Sequence, residues 1–177
     1  MSHIGIDVEA AGESLEERLA RGAMPFREAL QISTGLAAEL RGLHAHGLEY
    51  GALSAGTVVI GACGAGLAPR RGLARRADGR GDVAAFGGVM EQMLDGAETP
   101  RHLLELRAEA AGLAHQCRTQ TPEIQQVLIA LRLLGMQARM APPAPPADRT
   151  PSAGLGARLK SLVLLAADAL LGSNPAA

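Results

Sequence analysis

The run Thr57-Val58-Val59-Ile60 leads into Gly61-Ala62-Cys63-Gly64-Ala65-Gly66. A β-prone segment that ends in spaced glycines can bring backbone amides against a pyrophosphate at a helix N-terminus. Two features depart from that fingerprint. Cys63 stands where its middle glycine belongs, and Pro69, Arg70, Arg71 and Gly72 stand where the helix should begin. A small NAD- or FAD-binding protein, using the Gly61–Gly66 loop, is therefore carried only as an alternative. His44 and His46 lie two apart, so on a helix they face different sides and cannot share a metal ion. His44 is expected to pack in the core, and His102 and His115 have no recognisable partner. Cys63 and Cys117 form no CxxC pair and read as buried thiols in a reducing compartment. Glu49 and Asp78 are candidate acids, but each is isolated and is expected at the surface. Arg70, Arg71, Arg75, Arg76 and Arg80 form a basic cluster, read as a solvated loop or as a docking site for a phosphorylated or acidic partner. No metal ion and no cofactor is expected.

The elements that must position these residues are mostly helical. Of the 177 residues 47% are apolar but only 2% are aromatic, so the core must be built from Leu, Ala, Val, Ile and Met. A formal charge of −1 provides no global field to attract nucleic acid. Ser14 and Glu17 have the spacing of a capping box for a helix over Leu15 to Arg21. Pro25 suits the first turn of a second helix, with Ala29, Ile32, Leu36, Leu40 and Leu43 on one face and Gly47 as its end. Gly51 to Gly66 reads as a loop holding a short strand or hairpin, and Pro69 to Arg80 shows no period. Helical spacing resumes at Val83, Phe86, Met90, Met93 and Leu94, with Gly96 as the end. It continues through Leu103, Leu106, Ala110, Leu113 and Cys117. Thr121-Pro122 opens a further helix that turns Ile124, Val127, Leu128, Leu131 and Leu134 inward. Ala141 to Pro151 is a Pro-rich, semi-extended linker. The apolar run Leu162 to Leu171 is about half the ~20 residues needed to span a bilayer, and no signal peptide is evident at the N-terminus. A cytoplasmic protein is the expectation.

Gly12-Glu13-Ser14-Leu15-Glu16-Glu17-Arg18-Leu19 and Leu43-His44-Ala45-His46-Gly47-Leu48 are followed by Gly81-Asp82-Val83-Ala84-Ala85-Phe86-Gly87-Gly88-Val89-Met90 and Met93-Leu94-Asp95-Gly96. In this order and spacing they resemble, over about Ile4 to Leu134, the C-terminal lobe of a protein kinase of the bacterial serine/threonine type. The resembling pieces are the stretch after the hinge, the end of the long helix before the catalytic loop, and the two ends of the central helix. Arg118 and the helix from Thr121 to Leu131 resemble the final helix of that lobe. The resemblance implies a mainly α fold with a minimal β hairpin, a kinase-like C-lobe whose N-lobe is absent.

The departures carry the functional expectation. A kinase catalytic loop supplies an Asp that accepts the substrate proton, a Lys that steadies the γ-phosphate and an Asn that holds Mg²⁺. Across Tyr50-Gly51-Ala52-Leu53-Ser54-Ala55-Gly56-Thr57, the matching positions are Ala52, Ser54 and Thr57. In Gly64-Ala65-Gly66-Leu67-Ala68, which looks like D-F-G-L-A, Gly64 replaces the metal-binding Asp. The matches that remain are structural: Asp82, which in the family holds the amides of the catalytic loop, with Gly47, Tyr50, Leu53 and Gly87 as packing or turn positions. The resemblance thus implies a pseudokinase-like interaction scaffold or regulator in bacterial signalling and not an enzyme. The alternative within the family is a residual fragment of a serine/threonine kinase. The expected organisation is a C-lobe over 1–138, a linker over 139–154 and an apolar tail over 155–177. A protein partner or a second copy is expected on the face that a kinase covers with its N-lobe. Leu162 and Leu165 of the tail are expected to pack back on the body or to contact a membrane surface.

Overall fold

Ser14 Oγ accepts the backbone N–H of Glu17 at 3.2 Å, and the Glu17 carboxylate accepts the Ser14 N–H at 2.9 Å. The reciprocal bonds start helix α1, Leu15–Ala20, by satisfying amides that have no partner inside the helix. Those bonds hold the Glu17 carboxyl below the usual range, so their contribution is present at neutral pH and is lost as acidification passes that lowered value. Replacing Ser14 with Ala is expected to cost about 1 kcal/mol in urea unfolding. This is a computed structural model. It describes residues 12–142 except 63, 70–72 and 76–77, with the side chains of 74 and 75 also outside the description.

Pro25 caps α2, Phe26–Ala45, the long central helix. Its predicted apolar face is buried at Ala29, Ile32, Leu36 and Leu40, while Leu43 is partly buried. Gly47, with φ +66, turns the chain out of it in a conformation that only glycine adopts cheaply. Three further helices follow: α3, Arg80–Asp95; α4, Leu104–Gln120; and α5, Ile124–Met140. The five inward positions expected on α5, from Ile124 to Leu134, are all buried. α5 packs along α2, and α4 packs along α3. Phe26 and Phe86, two of the largest side chains in the core, are almost wholly enclosed.

The β content exceeds the single hairpin that was expected. Strands β3, Val58–Gly61, and β4, Gly64–Leu67, do form an antiparallel hairpin, with Gly61 opposite Gly64. A strand of two residues, β1, Glu13–Ser14, pairs with β3 to make a three-stranded sheet in the order β1-β3-β4. A second two-stranded ladder joins β2, Leu48–Glu49, to β5, Ala74–Arg75. Glu49, expected at the surface, is buried in β2 at 5% exposure beside Gly81. Its strand pairs with β5, and its carboxylate lies against Gly81 in the first turn of α3.

α2 supports the hairpin from below. The Glu39 carboxylate accepts the Leu67 N–H at 2.6 Å, and Gly35 lets the helix come within van der Waals range of the Ala65 carbonyl. The predicted linker and tail, including Leu162 and Leu165, lie outside the described residues.

Candidate functional site

Asp82 sits in the first turn of α3 and is 1% exposed. A carboxylate in such a place requires donors, because burying an unpaired charge is costly. Three groups meet it. The Tyr50 N–H donates to Oδ2 at 2.8 Å, the Gly51 N–H donates to Oδ1 at 2.7 Å, and the His44 ring donates from Nε2 to Oδ2 at 3.0 Å. Asp82 therefore ties the end of α2 and the segment after β2 to the start of α3. The acidic side chain also lies where the amide dipoles at a helix N-terminus favour negative charge.

The geometry decides several expectations about single residues. His44 is mostly buried and pairs with Asp82, while His46 bonds to the Gly42 carbonyl at 2.8 Å on its own helix. The two histidines face different partners, as their spacing required. Among the described residues no group of three or more His, Cys, Asp or Glu side chains is placed to hold a metal ion. Asp78 is exposed and accepts the Arg80 N–H at 3.4 Å, at the edge of hydrogen-bond range. Arg80 is exposed at the start of α3, and the backbone of Arg75 pairs with Leu48 in β5. Arg70, Arg71, Arg76 and Cys63 lie outside the described residues. Cys117 is buried in α4, and burial pushes its thiol up to about 11, so it stays protonated near neutral pH and acts as a packing residue.

The segment held by Asp82 closes on itself. Gly51 has φ +73, Ala52 and Ser54 are exposed, and Leu53 is buried as an anchor. Thr57 Oγ1 accepts the Ser54 N–H at 2.9 Å and lies 3.0 Å from the Ser54 carbonyl and 3.2 Å from that of Ala52. Its hydroxyl is thus committed to shaping the turn. The Tyr50 hydroxyl donates to the Ala68 carbonyl at 3.2 Å and fastens the segment to the far side of the hairpin. Gly64, at φ +124, occupies the hairpin turn and brings no side chain to the site. Ala52, Ser54, Thr57 and Gly64 are thus brought near one loop and hairpin, but none supplies a carboxylate or an amine.

The Gly61 to Gly66 stretch forms the turn of the β3–β4 hairpin and the start of β4. The pyrophosphate of a dinucleotide needs a helix N-terminus directly after the glycines, and here the chain turns back into β4. Glycine serves instead to let β3 and β4 reverse tightly and to pack closely on α2.

Sequence reasoning missed Glu39 and the burial of Glu49. A signal for Glu39 existed: Gly35 inside a long helix marks a close approach, and Glu39 lies one turn further along the same face. Among the described residues no helix is long and apolar enough to cross a membrane. Comparison with protein-family models gives no match, and a search of curated proteins gives none either.

Proposed function

We propose that this chain is a catalytically dead, protein-kinase-like module that serves as a protein-interaction scaffold or regulator. The observation that carries the reading is the grip of Asp82 on the N–H groups of Tyr50 and Gly51. The kinase resemblance assigns this task to Asp82, and the bonds run from the start of one helix to a loop more than 30 residues earlier. The order of a short helix, a long helix, a two-residue strand, a hairpin and then a helical block supports the same reading.

The loop that Asp82 steadies carries alanine where phosphoryl transfer needs a base, serine where it needs a lysine, and threonine and glycine where it needs metal ligands. Transfer is almost entirely positioning and charge stabilisation, so a frame without those charges offers little catalysis. The frame itself is satisfied: among the described residues no buried side-chain nitrogen or oxygen lacks a hydrogen-bond partner. In this reading the functional surface is the side bearing the β1-β3-β4 sheet, which a kinase covers with its N-lobe, and the partner is a protein or a second copy.

Transfer of labelled γ-phosphate from ATP to a generic protein substrate tests the catalytic half of the proposal. The full chain is expected to give background incorporation with and without Mg²⁺, and the Ala52→Asp variant is expected to match it. Incorporation by the wild type that depends on Mg²⁺ would remove the reading.

A further inference from the structure

On α5 the side chains of Ile129, Leu133, Met136 and Met140 are 49, 51, 51 and 79% exposed. Their spacing of 4, 3 and 4 places them in one stripe, about 16 Å long at 1.5 Å per residue. A helix of a monomer exposes single apolar residues routinely, but an unbroken stripe over three turns is the seam of a helix contact. Beside it, α2 and α5 enclose a groove of about 660 Å³ in which Met136 offers exposed apolar surface next to Gly135.

The charge around this groove has one sign. Arg27, Arg132 and Arg139 line it, all three are exposed, and none makes an ion pair among the described residues. No Asp or Glu lines the groove, and α5 contains none from Ile124 to Met140. Glu28, next to Arg27 in sequence, is taken by Arg18, which bonds both carboxylate oxygens at 2.9 and 3.0 Å, and Glu98 shares a separate depression with Arg27 but makes no ion pair with it. An antiparallel second copy presenting the same stripe would bring Arg132 of one copy toward Arg139 of the other, with no carboxylate of either α5 between them.

We infer that the α2–α5 groove and the exposed stripe of α5 are a docking site for an acidic, amphipathic helix of another protein. The partner helix lays an apolar seam of about three turns over Ile129, Leu133, Met136 and Met140. Carboxylates flanking that seam meet Arg27, Arg132 and Arg139, which can bind them bidentately. Gly135 leaves room for a side chain of the partner between the two helices. No residue of the β1-β3-β4 sheet lines this groove, and the inference does not depend on the kinase-like reading.

The test uses the full chain and a fluorescent synthetic helix of about 18 residues, long enough for a marginally stable helix, with leucine at its seam and glutamate beside it. A second peptide replaces each glutamate with lysine. By fluorescence anisotropy the glutamate peptide should bind saturably and weaken as salt is raised, and the lysine peptide should bind at least about tenfold more weakly. R132E/R139E should weaken the glutamate peptide by about tenfold or more, while Arg101→Glu, outside the groove, leaves it unchanged. If R132E/R139E does not fold by circular dichroism, the peptide pair and the salt series on the wild type still decide. Equal binding of the two peptides, or no saturable binding of the glutamate peptide, overturns the inference. So does a wild-type dimer in sedimentation that Met136→Glu dissociates, because it gives the stripe to a second copy. Tighter binding by a synthetic peptide of residues 155–171 than by the glutamate peptide overturns it as well, in favour of the chain's own sequence.

Discussion

Asp82→Ala will lower the unfolding free energy by about 3–5 kcal/mol, the scale of breaking a buried charged hub. The substitution removes one acceptor group from three donors at once: the Tyr50 N–H, the Gly51 N–H and the His44 ring. Tyr50 is 4% exposed, so water reaches its amide poorly. Urea unfolding followed by circular dichroism measures the loss, and for a body of this size the melting temperature should fall by roughly 10 °C or more. Asp82→Asn keeps one acceptor oxygen but turns an amide group toward a donor, so its loss should be smaller and still exceed about 1 kcal/mol. His44→Ala combined with Asp82→Ala should cost less than the sum of the single variants, since both break the same contact. An Asp82→Ala variant within about 0.5 kcal/mol of the wild type would mean that the carboxylate does not organise the loop.

Two neighbouring glycines of α3 should respond to alanine in opposite directions. At a solvent-facing helix position, Gly→Ala stabilises by roughly 0.5–1 kcal/mol because glycine loses more backbone freedom on folding. Gly88 follows that rule, since a Cβ built there meets nothing within 4 Å. Gly87 does not. A Cβ there would lie 2.6 Å from the Ala114 carbonyl oxygen, 2.8 Å from Arg118 Cγ and 2.9 Å from Cys117 Cβ. The first of these is backbone and cannot rotate away, so α3 and α4 must separate along their shared face. Gly87→Ala is expected to cost about 2–3 kcal/mol, at the upper end for overpacking, while Gly88→Ala gains several tenths. Thermal and urea unfolding of the two variants side by side give the sign of each. A stabilised Gly87→Ala would show that α3 and α4 leave room for a Cβ between Gly87 and the Ala114 carbonyl.

The helices were legible because each has a local signature. Ser14 with Glu17 started α1, Pro25 started α2, and inward residues at helical spacing marked α3 and α5. The β elements were only partly legible. Thr57 to Ile60 carries β-branched residues, but β1, β2 and β5 are two residues each, too short for any alternation to register. Their pairing is decided by where α1 and α3 place their ends. Asp82 was singled out through the kinase resemblance, whereas its bond to His44 joins residues 38 apart and has no trace in local pattern. Glu49 was misjudged for the same reason: an isolated carboxylate looks like a surface group until β5 and the Gly81 backbone enclose it. The glycines from 61 to 66 fitted two structures, and what separated them was the reversal of the chain between Gly61 and Gly64, which composition does not encode.

A thermal-shift series on the full chain with ATP and ADP, each with and without Mg²⁺, tests whether the chain lacks a metal–nucleotide site. A ligand at 100 times its dissociation constant would stabilise the fold by about 2.7 kcal/mol, a shift of several degrees. In the proposed kinase-like reading Ala52, Ser54, Thr57 and Gly64 stand at the positions that phosphate and metal would need, and the expected result is one cooperative melt that no nucleotide moves. A saturable rise with ATP that requires Mg²⁺ would contradict the account, because it would mean that the chain builds a metal–nucleotide site from other residues.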